Sequence, residues 1–168
     1  MEGKIILNSK KINQIISRIT YQLYENFLHE DEVVVLGIKE NGYKLAEKVV
    51  QEMNQLKKAS SKITLGYVSI NKQKPMSTAI DFSLKTEELA GRTIVLVDDV
   101  LNSGKTMMHI LADLVKFDAR LIRTVVLVDR KHRNFPVRAD FVGLTLSTTV
   151  EEHIEVVFED NKLTAYLE

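Results

Sequence analysis

Two adjacent acids, Asp98 and Asp99, close the apolar run Thr93-Ile94-Val95-Leu96-Val97. After Val100-Leu101 comes the small polar stretch Asn102-Ser103-Gly104-Lys105-Thr106, and then an apolar segment at helical spacing. An apolar strand, two acids, a tight turn and a helix in that order make a ligand site. A helix start offers backbone N–H groups without intrahelical partners and the positive end of the helix dipole, so it suits a phosphate. Ser103 and Thr106 add hydroxyl donors, and Gly104 lets backbone approach the ligand closely. Two carboxylates beside the turn suit a ligand with neighbouring hydroxyls, each carboxylate accepting O–H···O bonds. Two rival readings fit less well. Gly104-Lys105-Thr106 mimics the end of a P-loop, but that template needs a glycine where Asp99 stands. Capping of the turn and helix would need one acid, not two.

Such a turn works only if a sheet presents it. Val33–Ile38 and Thr93–Val97 are short, nearly continuous apolar runs that predict strands buried on both faces, as in a parallel sheet. Lys62–Ile70 and Leu121–Val128 predict two more strands. Helical spacing of Ile12, Ile15, Ile16, Ile19, Leu23 and Phe27 predicts a first helix. A second helix runs from Gly42 to about Leu56, and a third from Gly104 to Phe117 with Met107, Ile110, Leu111, Leu114 and Val115 facing inward. Asn71–Thr78 is polar, carries Pro75 and predicts a loop. After Asp129 the chain turns basic and irregular through Lys131–Arg138. Strand-like pieces follow near Phe141–Leu146 and Glu155–Phe158, expected to form a small appendage over the sheet edge. The alternation of strands and helices predicts an α/β fold with an open, mainly parallel sheet.

The whole chain sets the bounds. Its 168 residues suit one domain, spanning 1–168. Twenty-three basic side chains balance 23 acidic ones, so non-specific nucleic-acid binding by the whole surface is not expected. Cysteine is absent, which excludes disulfides and thiolate metal sites and predicts a cytoplasmic location. No apolar run approaches the roughly 18 residues of a membrane span. The start, Met1-Glu2-Gly3-Lys4, lacks the basic-then-apolar order of a signal peptide.

Val95–Thr106 resembles the motif with which type I phosphoribosyltransferases bind 5-phosphoribosyl-1-pyrophosphate (PRPP). Two further stretches narrow the resemblance to PyrR-like proteins, bacterial pyrimidine-operon regulators that are also uracil phosphoribosyltransferases. One is Leu127–Gly143, with Asp129-Arg130-Lys131-His132-Arg133 within it; the other is Leu36-Gly37-Ile38-Lys39-Glu40-Asn41-Gly42-Tyr43. The resemblance covers about Lys4 to Leu167 and implies the type I phosphoribosyltransferase fold. It assigns Asp98 and Asp99 to the ribose 2′ and 3′ hydroxyls, and Asn102, Ser103, Gly104, Lys105 and Thr106 to the 5′-phosphate. Lys39, Glu40, Asn41 and Gly42 would lie at the pyrophosphate. A hood from about residue 129 onward, with part of the N-terminus, would cover the base, with Arg130 and Val142 in it. The resemblance also implies Mg²⁺ held mainly by PRPP oxygens and water rather than by protein ligands. Its expected partners are PRPP, a nucleobase or UMP, and a second copy of the chain in a homodimer.

The chain departs from the family pattern in three places. An arginine is usual just before the loop glycine, and Asn41, which cannot replace its charge, stands there. The closing loop usually carries an arginine and acids, and Val68–Thr78 offers only Lys72 and Lys74. The first helix, the RNA face of such proteins, has Arg18 as its only basic residue past Lys11. Two functions therefore remain open from sequence: a transferase that favours uracil, and a weakly active or inactive regulator that senses PRPP or UMP and binds RNA.

Overall fold

A computed structural model describes residues 3–56, 62–70, 79–149, 152–159 and 161–168. The chain runs β1 (Lys4–Leu7), α1 (Ser9–Asn26), β2 (Glu32–Ile38), α2 (Asn41–Gln55), β3 (Lys62–Ser69), β4 (Asp81–Phe82) and α3 (Thr86–Leu89). It continues through β5 (Thr93–Leu101), α4 (Lys105–Lys116), β6 (Leu121–Asp129), β7 (Phe141–Thr145), β8 (Ile154–Glu159) and β9 (Lys162–Leu167). The expected loop at Asn71–Thr78, with Lys72 and Lys74, lies outside the described residues.

Six strands form one sheet in the order β4-β3-β2-β5-β6-β7. Every neighbouring pair is parallel except β3–β4. The apolar runs are continuous because both faces are covered. Val33, Val35, Val95 and Val97 pack against α1 and α2 through Ile16, Ile19, Leu23, Leu45 and Val49. Val34, Leu36, Ile94 and Leu96 face the other way, against Met107, Ile110 and Leu114 of α4 and Leu89 of α3. Asn8 starts α1 by accepting the Lys11 N–H at 2.9 Å, a capping bond of the usual N-terminal kind.

A second, antiparallel sheet of order β1-β9-β8 joins the two ends of the chain and packs Leu7, Val156, Leu163 and Ala165 into the α1/α2 side of the core. We call this small sheet the hood, and its makeup differs from the expectation. The appendage does not begin at residue 129, because β7 is the sixth strand of the main sheet, parallel to β6 with Phe141 opposite Val125. Gly143 marks why: a Cβ there would stand 2.4 Å from the Leu127 carbonyl oxygen and 2.7 Å from Ile15, so only glycine lets β7 lie between β6 and α1. Val115 was expected inside and is 68% exposed; the apolar stripe of α4 is narrower than its hydrophobic content, and Val115 falls on its outer flank.

Candidate active site

Strand β5 runs four residues further than its apolar core suggests, carrying Asp98 and Asp99 in its last turns before Leu101 pairs with Asp129. Asp98 is buried at 6% exposure and Asp99 half-buried. The Asp98 carboxylate accepts the Asp99 backbone N–H at 3.0 Å. The chain then turns through Asn102-Ser103-Gly104 into α4. Gly104 takes φ +83°, a left-handed conformation that glycine adopts at little cost. From behind, the segment after β6 holds this turn: the N–H groups of Asn134 and Phe135 both donate to the Ser103 carbonyl, at 3.0 and 3.1 Å. The basic stretch read from sequence as hood therefore supports the Asn102–Gly104 turn instead.

The second helix start lies beside the first. The Lys39–Glu40 peptide is cis. Gly42 packs so closely on β5 that a Cβ would stand 2.8 Å from the Val97 carbonyl oxygen and 3.0 Å from the Asp98 Cα. Asn41 donates from Nδ2 to the Asp99 carboxylate at 3.3 Å and to the Val156 carbonyl of the hood at 2.7 Å. Lys39 lies with Nζ 3.7 Å from the centroid of the Tyr67 ring, a cation–π contact. Tyr67 in turn meets Tyr43 edge-on. Burial first, and the Glu47 carboxylate second, push the Tyr43 phenol above its ordinary value, so it stays neutral. Glu40 is exposed.

Arg130 is 3% exposed and ties the turn at Asn102 to the strap before the hood. Its guanidinium donates to Asn102 Oδ1 at 3.1 Å, to Thr148 Oγ1 at 2.9 Å, to the Thr149 carbonyl at 3.2 Å and to the Glu152 carbonyl. The Thr149 N–H, bonded to the Glu152 carboxylate, holds that carboxyl below its ordinary value.

The structure thus brings together Asp98, Asp99, Asn102, Ser103, Gly104, Lys105, Thr106 and Arg130, which line one cleft of about 350 Å³. Asn41 and Gly42 abut its acids without lining it, and Lys39 is turned to Tyr67. Val142 is not at the cleft: it sits on β7 opposite Val126 and packs with the α4 side of the core. The sequence predicted a strand-like piece here, but not that it would pair with β6 in the main sheet. Missed from sequence were His153 and Ile154 of the hood, which line the cleft, and Tyr67. The short apolar run within Glu155–Phe158 gave the only signal for the hood strand, and nothing local pointed to its place beside the acids.

Comparison with known proteins places the chain in a family. The family described as phosphoribosyl transferase domain matches residues 2–160, and the chain belongs to it. Within the family the chain resembles proteins named bifunctional protein PyrR. That of Haemophilus ducreyi is 33% identical over 161 residues, covering 91% of this chain and 88% of the relative. That of Streptococcus equi subsp. zooepidemicus is 34% identical over 158 residues, covering 93% and 90%. Among solved structures, a hypoxanthine-guanine phosphoribosyltransferase from Bacillus anthracis superposes with a TM-score of 0.75 at 16% identity, covering 99% of both chains. A hypoxanthine phosphoribosyltransferase from Staphylococcus aureus gives 0.72 at 14% identity, covering 87% of this chain and 79% of that one. The type I phosphoribosyltransferase fold expected from sequence is therefore the fold of this chain. Among the described residues, no helix is long and apolar enough to cross a membrane.

Proposed function

We propose that this chain moves the 5-phosphoribosyl group of PRPP onto a ring nitrogen of a nucleobase, uracil before purines, with release of pyrophosphate. One observation carries the reading: two carboxylates, one of them buried, end β5 directly against a glycine turn that opens α4. The 5′-phosphate would lie on Asn102–Thr106, where helix N–H groups and hydroxyls converge. Asp98 and Asp99 would accept from the ribose hydroxyls and steady the ring as positive charge grows on it. The nitrogen–C1 bond forms as the C1–oxygen bond breaks; the electron pair leaves with pyrophosphate and the base loses its N–H proton to solvent.

Mg²⁺ would be held mainly by PRPP oxygens and water, with the Asp98 and Asp99 carboxylates near enough to favour its charge, and it would supply charge neutralisation at the leaving group. The first turn of α2 adds backbone N–H groups on the same side. Preference for uracil is supported by Asn102, whose side chain accepts from Arg130 and has no titratable group to serve a purine N7. The test is pyrophosphate release from PRPP and Mg²⁺ with uracil, hypoxanthine and guanine in turn. Release with uracil alone is expected; a purine preference sinks the pyrimidine assignment, and release with no base sinks the transferase reading.

A regulator that senses PRPP or UMP is the second reading. It is favoured by the commitment of both loop side chains elsewhere, Asn41 to Asp99 and Val156, Lys39 to Tyr67. Its RNA arm is weakened by Arg18, which donates to the Val142 and Gly143 carbonyls at 3.0 and 2.7 Å. Phosphate-tracking surfaces need several uncommitted cations. Gel shift with pyrimidine-leader RNA near physiological salt should show little binding, and a specific nanomolar complex would reverse this.

A further inference from the structure

We infer that Asn41 is a positioning residue that latches the hood to the acid pair, rather than a ligand of pyrophosphate. Its two partners, the Asp99 carboxylate and the Val156 carbonyl, are both acceptors. The amide nitrogen must therefore face them, and its two hydrogens are both spent. The contact is one rung of a longer seam. Asn41, Lys44 and Lys48 stand at i, i+3 and i+7 of α2, on one helical face. Lys44 and Lys48 lie over the Phe158 ring of β8, at 4.7 and 5.6 Å from its centroid, and Lys48 also donates to the Asn161 carbonyl at 3.3 Å. The β8–β9 hairpin is thus docked along α2 from the cleft outward. Only the innermost rung touches a carboxylate of the site.

The latch makes two events one. Asp99 keeps the orientation in which its other oxygen can meet a ribose hydroxyl, and the hood keeps the position in which it covers a base. A hood that lifts takes the Val156 carbonyl from Asn41 and leaves Asp99 unrestrained. An arginine at position 41 would have charge to give an anion; asparagine at 41 gives its donors to the protein. The functional half of this inference rests on the proposed ribose site, while the latch itself does not.

Two variants test it on the full chain. Asn41→Asp keeps the shape but replaces a double donor with a carboxylate facing two acceptors, and Asn41→Ala removes the group. Hydrogen exchange of the β8–β9 amides should speed up by about tenfold or more in both, further in the aspartate variant, with β5 and β6 unchanged. In Asn41→Ala, UMP affinity should fall by about tenfold and inorganic pyrophosphate affinity should not move. Unchanged exchange in the hairpin overturns the inference whatever the ligands do. Loss of pyrophosphate affinity with UMP affinity intact overturns it too, and makes Asn41 a leaving-group ligand. If UMP fails to bind even the parent chain, the proposed function falls, and the exchange measurement still decides the latch.

Discussion

The chain enters two helices from neighbouring parallel strands, β2 into α2 and β5 into α4, and the two junctions are built on opposite plans. Gly42 is required by crowding: α2 is pressed against β5 with no room for a methyl group. Gly104 is required by conformation: its φ is +83°, yet nothing lies closer than 3.4 Å to where a Cβ would go. The α2 junction is filled by the protein's own groups, with Asn41 bonded to Asp99 and the hood. At the α4 junction Asn102 and Lys105 are exposed and line the cleft. One junction is structural packing beside the site; the other is the site's open floor.

The sharpest test compares the glycines. Gly42→Ala should cost about 3 kcal/mol, since the overlap is with backbone that cannot move aside. Gly104→Ala should cost only about 1 kcal/mol, the price of a left-handed φ. Urea denaturation of both variants checks this, and equal costs would erase the distinction. Arg130→Ala comes next. It leaves the Thr149 and Glu152 carbonyls and Asn102 without their donor, and about 2 kcal/mol of stability should be lost. A melting temperature within a degree of the parent would mean that the strap does not depend on it.

Asp98→Asn and Asp99→Asn should each leave the fold intact by circular dichroism while weakening UMP roughly tenfold. Parent-like binding by both would remove the ribose assignment from the open junction. The smallest effect belongs at the opposite end of the sheet, as a control. Glu32 accepts from Lys62 at 3.1 Å and pairs with Arg92 at 2.9 Å. The Lys62 hydrogen bond first, with Arg92 and Lys62 charge and Thr64 assisting, holds its carboxyl below its ordinary value of 4.5 against the opposing effect of burial. A carboxyl depressed in the folded state stabilises above its unfolded pKa and loses that contribution as pH falls through the folded one. Glu32→Gln should therefore cost about 0.5 kcal/mol at pH 7, because the pair is partly exposed. The gap should close below the ordinary carboxylate range, and UMP binding should not change. A gap that persists at low pH would point to packing rather than charge.

Much of the floor of the site was legible in the sequence, because it is local. An apolar strand, two acids and a glycine turn follow one another in the chain, and burial on both faces wrote β2 and the first half of β5 as nearly continuous apolar runs. The α1 stripe was equally plain. What was not legible depends on contacts between distant residues. Nothing near Asn41 in the chain points to Val156, 115 positions away. The two-residue β4 is too short to carry a period. The sequence Phe141-Val142-Gly143-Leu144 reads as any short strand; that it pairs with β6 is decided by how Gly143 fits under the Leu127 carbonyl. Lys39 was expected at the pyrophosphate; its contact with the Tyr67 ring on the neighbouring strand cannot be read from its own segment.

The pairing of Lys4 with Leu167 in the hood has a consequence for how the protein comes off the ribosome. β1 is made before the main sheet, and its partner β9 only after it. The central parallel strands and the acid-bearing junction can assemble while β1 still waits as an open edge. Closing so long a loop is entropically slow. Until β9 is made, β1 has no partner strand, and the small sheet that brings His153 and Ile154 to the cleft is incomplete.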